Sequence, residues 1–444
     1  MTVQSSLYKK FIIISADGER SVTIDYGDFR VLNIYYYENI LSPNITGVVT
    51  ITSTIVTKSA TDIQERMGSL HSSLPLEVGC ELLIHIQDPI GEGLNFSSEE
   101  NPHERFYVNE VQILERTSTS EIIQLRFISN IGWKNTTRRV TRHYAGRITE
   151  SVRNILKNEL RLPDDKIEID PSSNSYSFAG MTKRPFDLIA MLAKQSIPQN
   201  TVNPGYLTFE TKGGFKYLSV DTLVNSTPYP QDYSYYGFNE SSYEPGDDKN
   251  NNFKIASLTV SQDQNLVLQI ESGVYANKTI FFDPATYKIT EIDISVNNND
   301  LFKNPKFSTL GKQPSIPKLL QDDFDSGTKF HRVETAILNV GANKESVAVN
   351  NSPQFYYAAS ATRYNLLFSQ QTSITIPCNT DLEAGDVLNL QIEDISNKPD
   401  LGPDQRRGGR YIIKSLCHYF EPEKSVTSLV LIRDSYGLHT NQTV

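Results

Sequence analysis

Seven histidines, three cysteines and a few acidic and basic runs are the residues of this chain that could do chemistry. Cys417 and His418 join a thiol to an imidazole, the ligand types of a zinc site. In a strand, neighbouring side chains point to opposite faces, so this pair cannot hold one metal. His71, His85, His103, His143, His331 and His439 are scattered. His85 and His418 read as ordinary strand residues. Asp322-Asp323-Phe324-Asp325-Ser326-Gly327 has the outline of a calcium loop with Gly327 at its sharp turn. Phe324 sits where a ligand is needed, and Val333 sits where the bidentate Glu belongs. This run, Asp164-Asp165 and Glu99-Glu100 therefore read as solvated loop charge. Arg406-Arg407-Gly408-Gly409-Arg410 reads as a mobile basic loop leading into a strand. No zincin helix, nucleophile elbow, phosphate loop or dinucleotide fingerprint occurs. The expectation is a chain that is not an enzyme, with no catalytic residue, no cofactor and no metal site.

Composition narrows the class. At 444 residues the chain can hold several cores. Its net charge of −10 argues against a broad phosphate-binding surface. Cys80, Cys378 and Cys417 have no CxxC spacing, and their odd number suits buried reduced thiols. The apolar run Phe11 to Ile14 is too short for a signal-peptide core. No stretch approaches a membrane span, so no stable membrane insertion is expected and the chain should fold in a cytoplasm. Contacts should lean on 23 Tyr and 20 Phe, against one Trp.

The end of the chain repeats its beginning. Leu76-Glu77-Val78-Gly79 and the strand to Asp88 match Leu382-Glu383-Ala384-Gly385 and the strand to Asp394. Arg105-Phe106-Tyr107-Val108 then matches Arg410-Tyr411-Ile412-Ile413. Each copy closes on an alternating strand, with Ile123, Leu125 and Phe127 in the first and Leu429 and Leu431 in the second. All-β proteins reuse Gly turns and alternation, so the argument rests on two blocks matching in the same order. Gly79 should align with Gly385 and Leu82 with Leu388, each Gly at positive φ.

Between the copies the pattern changes. Ile148, Val152, Ile155, Leu156 and Leu160 predict a helix, and Pro185 starts a second with Ile189, Leu192, Ala193 and Ile197 on its face. Gly213-Gly214 sits between aromatic strands as a hairpin turn. Leu266 to Ile270, Lys278 to Phe282 and Ile289 to Ile294 read as strands. Ser352-Pro353 opens a helix with Tyr357, Ala361, Tyr364 and Leu367 or Phe368 on its face. The expected fold is mainly β with small α+β insertions. Its divisions are a first tube-type β-barrel (1–140), a small α+β domain (141–224) and a Tyr-rich linker or arm (225–252). A β-rich inserted domain (253–350) and a helix with a second tube-type β-barrel (351–444) follow. Tyr229 to Tyr243 is a contact arm or a disordered one.

The segment Gly409 to Phe420, closing with Ser428 to Ser435, resembles the second tube barrel of phage tail hub proteins. Gly273-Val274-Tyr275-Ala276-Asn277-Lys278 with Phe281-Phe282-Asp283 is similar to a segment of the central baseplate hub of T-even-like contractile phages. Late-control proteins of other phages and type VI secretion spike hubs share the plan. The resemblance implies two tail-tube-type barrels per chain and a homotrimer with pseudo-sixfold symmetry. It implies as partners the tail tube protein, the central spike protein and the surrounding baseplate wedge proteins. DNA would pass through the channel without specific binding, past carboxylates that repel phosphate. The place implied is the virion tail baseplate, assembled in the host cytoplasm. The competing readings are a tail-associated cell-wall-degrading enzyme and the hub of a type VI-like secretion spike. The loops Glu92 to Glu104 and Asn397 to Gly409 have no assigned role.

Overall fold

Alternation writes the first module. β1 (Leu7–Ile14), β2 (Ser21–Thr23), β3 (Phe29–Asn39) and β4 (Thr46–Thr54) precede the repeated block. The block itself forms β5 (Glu81–Gln87), β6 (Leu94–Phe96), β7 (Phe106–Arg116) and β8 (Ser120–Ser129). Along β8 residues are buried at every second position, so one face of the sheet takes Ile123, Leu125 and Phe127 into the core. The computed structural model describes residues 7–24, 29–54, 70, 74–88, 90–201, 203–235, 252–262, 265–284, 286–295, 307–312, 317–325, 332–337, 353–393, 404 and 406–437.

A first insertion follows β8. It runs α1 (Asn130–Thr137), β9 (His143–Tyr144), α2 (Ile148–Asn158), β10 (Ile167–Ile169), β11 (Phe178–Ala179), α3 (Pro185–Gln195), β12 (Tyr206–Thr211), β13 (Gly214–Ser219) and α4 (Val220–Asn225). Ile148, Val152, Ile155 and Leu156 pack with Leu188, Ile189 and Leu192 in a core of their own. The β12–β13 hairpin turns at Lys212 and Gly213, one residue ahead of the expected Gly213-Gly214, and Gly214 already pairs with Thr211. Ile197 lies beyond α3, which stops at Gln195. α1 was not legible because it continues β8 with no cap side chain bonded at Ser129.

Chain then returns to the β module through β14 (Tyr233–Tyr235) and β15 (Ser257–Gln262). A second insertion holds α5 (Leu266–Glu271), β16 (Ala276–Asp283), β17 (Lys288–Ser295), α6 (Lys318–Asp325), β18 (Arg332–Ile337) and α7 (Pro353–Leu367). The expected strand at Leu266 to Ile270 is α5 instead, because the Asn265 side chain caps it by accepting from the Leu268 N–H. The acidic run at Asp322 to Asp325 is the end of α6 rather than a loop. α7 begins at Pro353, but it buries Tyr356, Ala358, Ala359, Leu366 and Leu367 and leaves Tyr357 exposed. Elements pack on more than one side of it, so a single-face pattern does not hold. β19 (Gln370–Pro377), β20 (Val387–Ile392), β21 (Gly409–Phe420) and β22 (Ser425–Arg433) complete the second module.

The two modules have the same wiring. β5 meets β7 with Leu82 opposite Phe106, and β20 meets β21 with Leu388 opposite Tyr411. Phe127 stands opposite Val108, and Leu431 opposite Ile413. The outer strands follow suit: Tyr36 faces Gly47, which faces Phe127, while Val260 faces Thr372, which faces Leu431. Thus β1, β3, β4, β5, β7 and β8 correspond in chain order to β14, β15, β19, β20, β21 and β22. One difference stands out: β1 runs antiparallel to β5, whereas β14 runs parallel to β20.

The two modules are joined edge to edge. The described strands form one 14-stranded sheet in the path β15-β19-β22-β21-β3-β4-β8-β7-β5-β1-β2, with β14, β20 and β6 attached. β3 and β21 pair antiparallel across the modules, from Ile34 opposite Phe420 to Asn39 opposite Ser415. Both modules therefore share one core, and Tyr36 stacks on His418 at the seam, centroids 5.8 Å apart.

Candidate functional site

The seam between modules gathers buried and half-buried carboxylates. Alternation along β3 puts Glu38 on the core side with Tyr36. Its carboxylate accepts from Tyr36 Oη at 2.6 Å, Lys212 N at 2.7 Å and Ala384 N at 2.9 Å. Burial, with the Glu383 carboxylate nearby, pushes Glu38 up to about 8 against those three hydrogen bonds. Glu210, on β12, accepts from Ile45 N at 2.9 Å and from Ser129 Oγ, and burial raises it to about 7. Burial also raises Asp386 to about 6. Glu383 goes the other way. Burial alone would raise it, but Lys216 Nζ at 2.7 Å and Thr211 Oγ1 at 2.9 Å hold it below the usual carboxylate range. The β12–β13 hairpin thus wedges into the seam and bonds both modules.

A further tie closes the seam. Asp88, at the end of the first repeated strand, accepts from Thr380 N at 2.7 Å and Thr380 Oγ1 at 3.0 Å. A second network lies where α4, α7 and the end of β22 meet. Arg363 is fully buried and donates to Asp221 Oδ1 at 3.1 Å and Asp434 Oδ2 at 3.0 Å. Its remaining Nη2 donates to Ser308 O at 3.2 Å.

The residues that sequence singled out are not gathered by the fold. His85 lies on β5; His103 Nε2 sits 2.7 Å from Arg161 O, and His143 Nε2 3.0 Å from Ser177 Oγ. His418 faces the core while Cys417 faces outward, as strand geometry requires. His418 Nδ1 is 2.8 Å from Thr427 Oγ1, and burial depresses its pKa to about 3. His71, His331, His439, Ser326 and Gly327 fall outside the described residues. Glu99 pairs with Lys10 at 2.8 Å, and Asp164 with Lys157 at 2.6 Å, both at the surface. Arg410 is no solvated loop residue: it donates to Val224 O at 3.1 Å and Ser226 O at 2.7 Å, pinning the first insertion to β21. Tyr229 and Tyr233 turn inward, each hydroxyl accepting from Asn379 Nδ2, while Tyr243 lies outside the described residues.

What remains open is surface. The outer face of β3, β21, β22, β19 and β15 forms a hollow of about 690 Å³. Ser257, Thr259, Ser373, Thr375, Ser415 and Ser428 line it, and no Lys or Arg does. Such a wall supplies hydroxyls and no cation for a phosphate. No group of three or more metal-ligating side chains converges among the described residues. No described helix is long and apolar enough to cross a membrane.

No protein-family model matches the chain. It is 22% identical over 338 residues to the probable baseplate hub protein gp334 of Vibrio phage KVP40, which takes in 72% of this chain and 74% of that one. Its fold is similar to that of the 43 kDa tail protein of prophage MuSo2 from Shewanella oneidensis, with a TM-score of 0.52 at 10% identity over 97% of this chain and 99% of the other. A tail protein from Neisseria meningitidis MC58 gives a TM-score of 0.50 at 10% identity, covering 96% of each chain.

Proposed function

We propose that this chain is the structural hub of a contractile-tail baseplate and performs no catalytic step. Three copies form a ring that adapts a sixfold tail tube to a threefold central spike. The repeated module carries this reading: two modules of one register in each of three chains supply six equivalent positions. The likeness to a probable baseplate hub protein and to two tail proteins supports the same place in the virion. The ring would leave a channel for DNA. A net charge of −10 and a hydroxyl-lined sheet face without cations suit a wall that phosphates slide past. Tube, spike and wedge proteins are the partners of such a hub.

Native mass measurement tests this directly, on the chain alone and with the tube and spike proteins. A trimer is expected in the mixture. A chain that stays monomeric with both partners present would overturn the hub reading, as would cell-wall cleavage lost on changing one carboxylate.

A further inference from the structure

β7 and β15 each carry a bare edge. β8 covers one edge of β7 along its length, but on the other edge β5 pairs with Phe106 and Tyr107 alone. From Glu110 to Arg116 that edge has no ladder partner among the described residues. Ile113 and Leu114 there are 44% and 49% exposed. β15 ends the sheet, with β19 as its one ladder neighbour among the described residues.

The second module shows what belongs on such edges. β21, the counterpart of β7, has β20 against Gly409 to Ile412 and β3 against Ser415 to Phe420. β3 is the counterpart of β15. The bare half of β7 therefore matches the half of β21 that receives β3 as far as Ile113, beyond which β7 has a second bulge at Leu114, and the bare edge of β15 matches the edge of β3 that docks. Each chain holds one finished joint and the two unmated halves of another. The halves do not meet within one chain, where six strands of the sheet separate them.

We propose that β15 of one copy adds antiparallel to the Glu110–Arg116 half of β7 of a second copy, with Val260 opposite Ile113. The register comes from the finished joint, where Tyr36 stands opposite His418. Val260 is the counterpart of Tyr36, and Ile113 that of His418, because His418 faces Thr427 as Ile113 faces Ile123. Pairing would bury Val260 and Ile113 as the seam buries Tyr36 and His418. β15 carries no charged residue, and this register sets Ser257 to Gln262 against Arg116 to Val111, so Glu115 meets no like charge there. Main-chain bonds supply affinity and the alternating side chains set register. The contact is heterologous and repeats from copy to copy. This inference rests on the ring reading and names the strands that join it.

Disulfide trapping tests it. Val260→Cys and Ile113→Cys chains are made separately, mixed with tube and spike proteins, and oxidised mildly while native mass reports the stoichiometry. The expected result is a disulfide-linked dimer in the mixture that neither variant gives alone. Gln112→Cys, whose side chain leaves the other face, should not replace Ile113→Cys. Cys80 and Cys378 are buried and add little background, and the half-buried Cys417 is changed to Ser in both chains. A trimer without the 260–113 disulfide, or one trapped equally well through Gln112→Cys, overturns this contact and leaves the ring standing. Persistent monomer overturns both. As a second measurement, Ile113→Lys should abolish the trimer with an unchanged circular dichroism spectrum, because the site is exposed in the single chain. An unaffected trimer would sink the proposal.

Discussion

Asn109 and Lys414 are the same bulge residue in two copies: each is skipped in the ladder, between Val108 and Glu110 and between Ile413 and Ser415. Just before each bulge, the chain is fastened to the Gly turn. Gly79 N donates to Val108 O and Gly385 N to Ile413 O, both at 2.8 Å. A bulge bends its strand and increases local twist. The first half of β7 or β21 thus lies along one neighbour, and the second half swings free for another. The seam between β3 and β21 depends on that bend.

The paired glycines should differ in what they tolerate. φ is +100° at Gly79 and +93° at Gly385, so any side chain is strained at both. A Cβ at Gly79 would meet nothing nearer than Ala16 at 3.8 Å, whereas at Gly385 it would stand 2.8 Å from Phe209 Cζ. Gly79→Ala should cost about 1–2 kcal/mol from backbone strain alone, and Gly385→Ala about 1–3 kcal/mol more from overpacking. Denaturant melts of both variants check this. Equal losses would mean that the Phe209 contact relaxes away.

Arg363→Leu should be among the most damaging single changes. It leaves Asp221 and Asp434 buried without their cation, a loss of about 3–5 kcal/mol. Adding Asp221→Asn and Asp434→Asn should recover part of it, because neutral amides cost less to bury than carboxylates. If the triple variant melts below the single one, the carboxylates are not the source of the damage.

His418 should make the protein acid-sensitive. Its folded pKa of about 3 lies below the ordinary value near 6.5, so the unfolded chain binds its proton first. Stability from this group is whole above about pH 6.5 and falls by roughly 1.4 kcal/mol per pH unit as pH drops towards 3. His418→Gln should flatten that part of the stability–pH profile. A variant profile parallel to the parent's would show that His418 is not held neutral.

Glu210 gives the opposite slope. Its folded pKa of about 7 exceeds the ordinary carboxyl value, so the folded chain keeps a proton that the unfolded chain has lost. The contribution of this group should therefore decline as pH rises from about 4.3 to 7 and level off above. Glu210→Gln should reduce the decline. Glu38 extends the same trend to about pH 8. A Glu210→Gln profile parallel to the parent's through this window would contradict the assignment.

The duplication was legible because Gly79 and Gly385, and the apolar alternation after them, are local features of sequence. Leu82 and Leu388, Phe106 and Tyr411, and Phe127 and Leu431 hold matching ladder positions as their order suggested. The bulge left no mark, since Asn109 and Lys414 are chemically unlike and a bulge is a property of pairing. The β3–β21 seam was equally silent, because pairing between distant segments has no local signature. Glu38 reads as one more polar residue in an alternating strand. Its burial depends on Lys212 and Ala384, which the chain delivers far downstream. The helix at Leu266 was misread because its unbroken apolar run suits strand and helix alike, and the Asn265 cap decides.

The connections on either side of corresponding strands differ greatly in length. β3 passes to β4 through residues 40–45, whereas β15 passes to β19 through residues 263–369, which contain a whole folded unit. Six identical subunits would be obliged to carry the same connection at every position. Tying two modules into one polypeptide lifts that obligation: one can stay bare while its twin grows an outgrowth. In the proposed ring every second station would bear a protrusion over an inner wall of uniform pitch. Specialisation at alternate stations is open to a fused pair and closed to a hexamer of identical single modules.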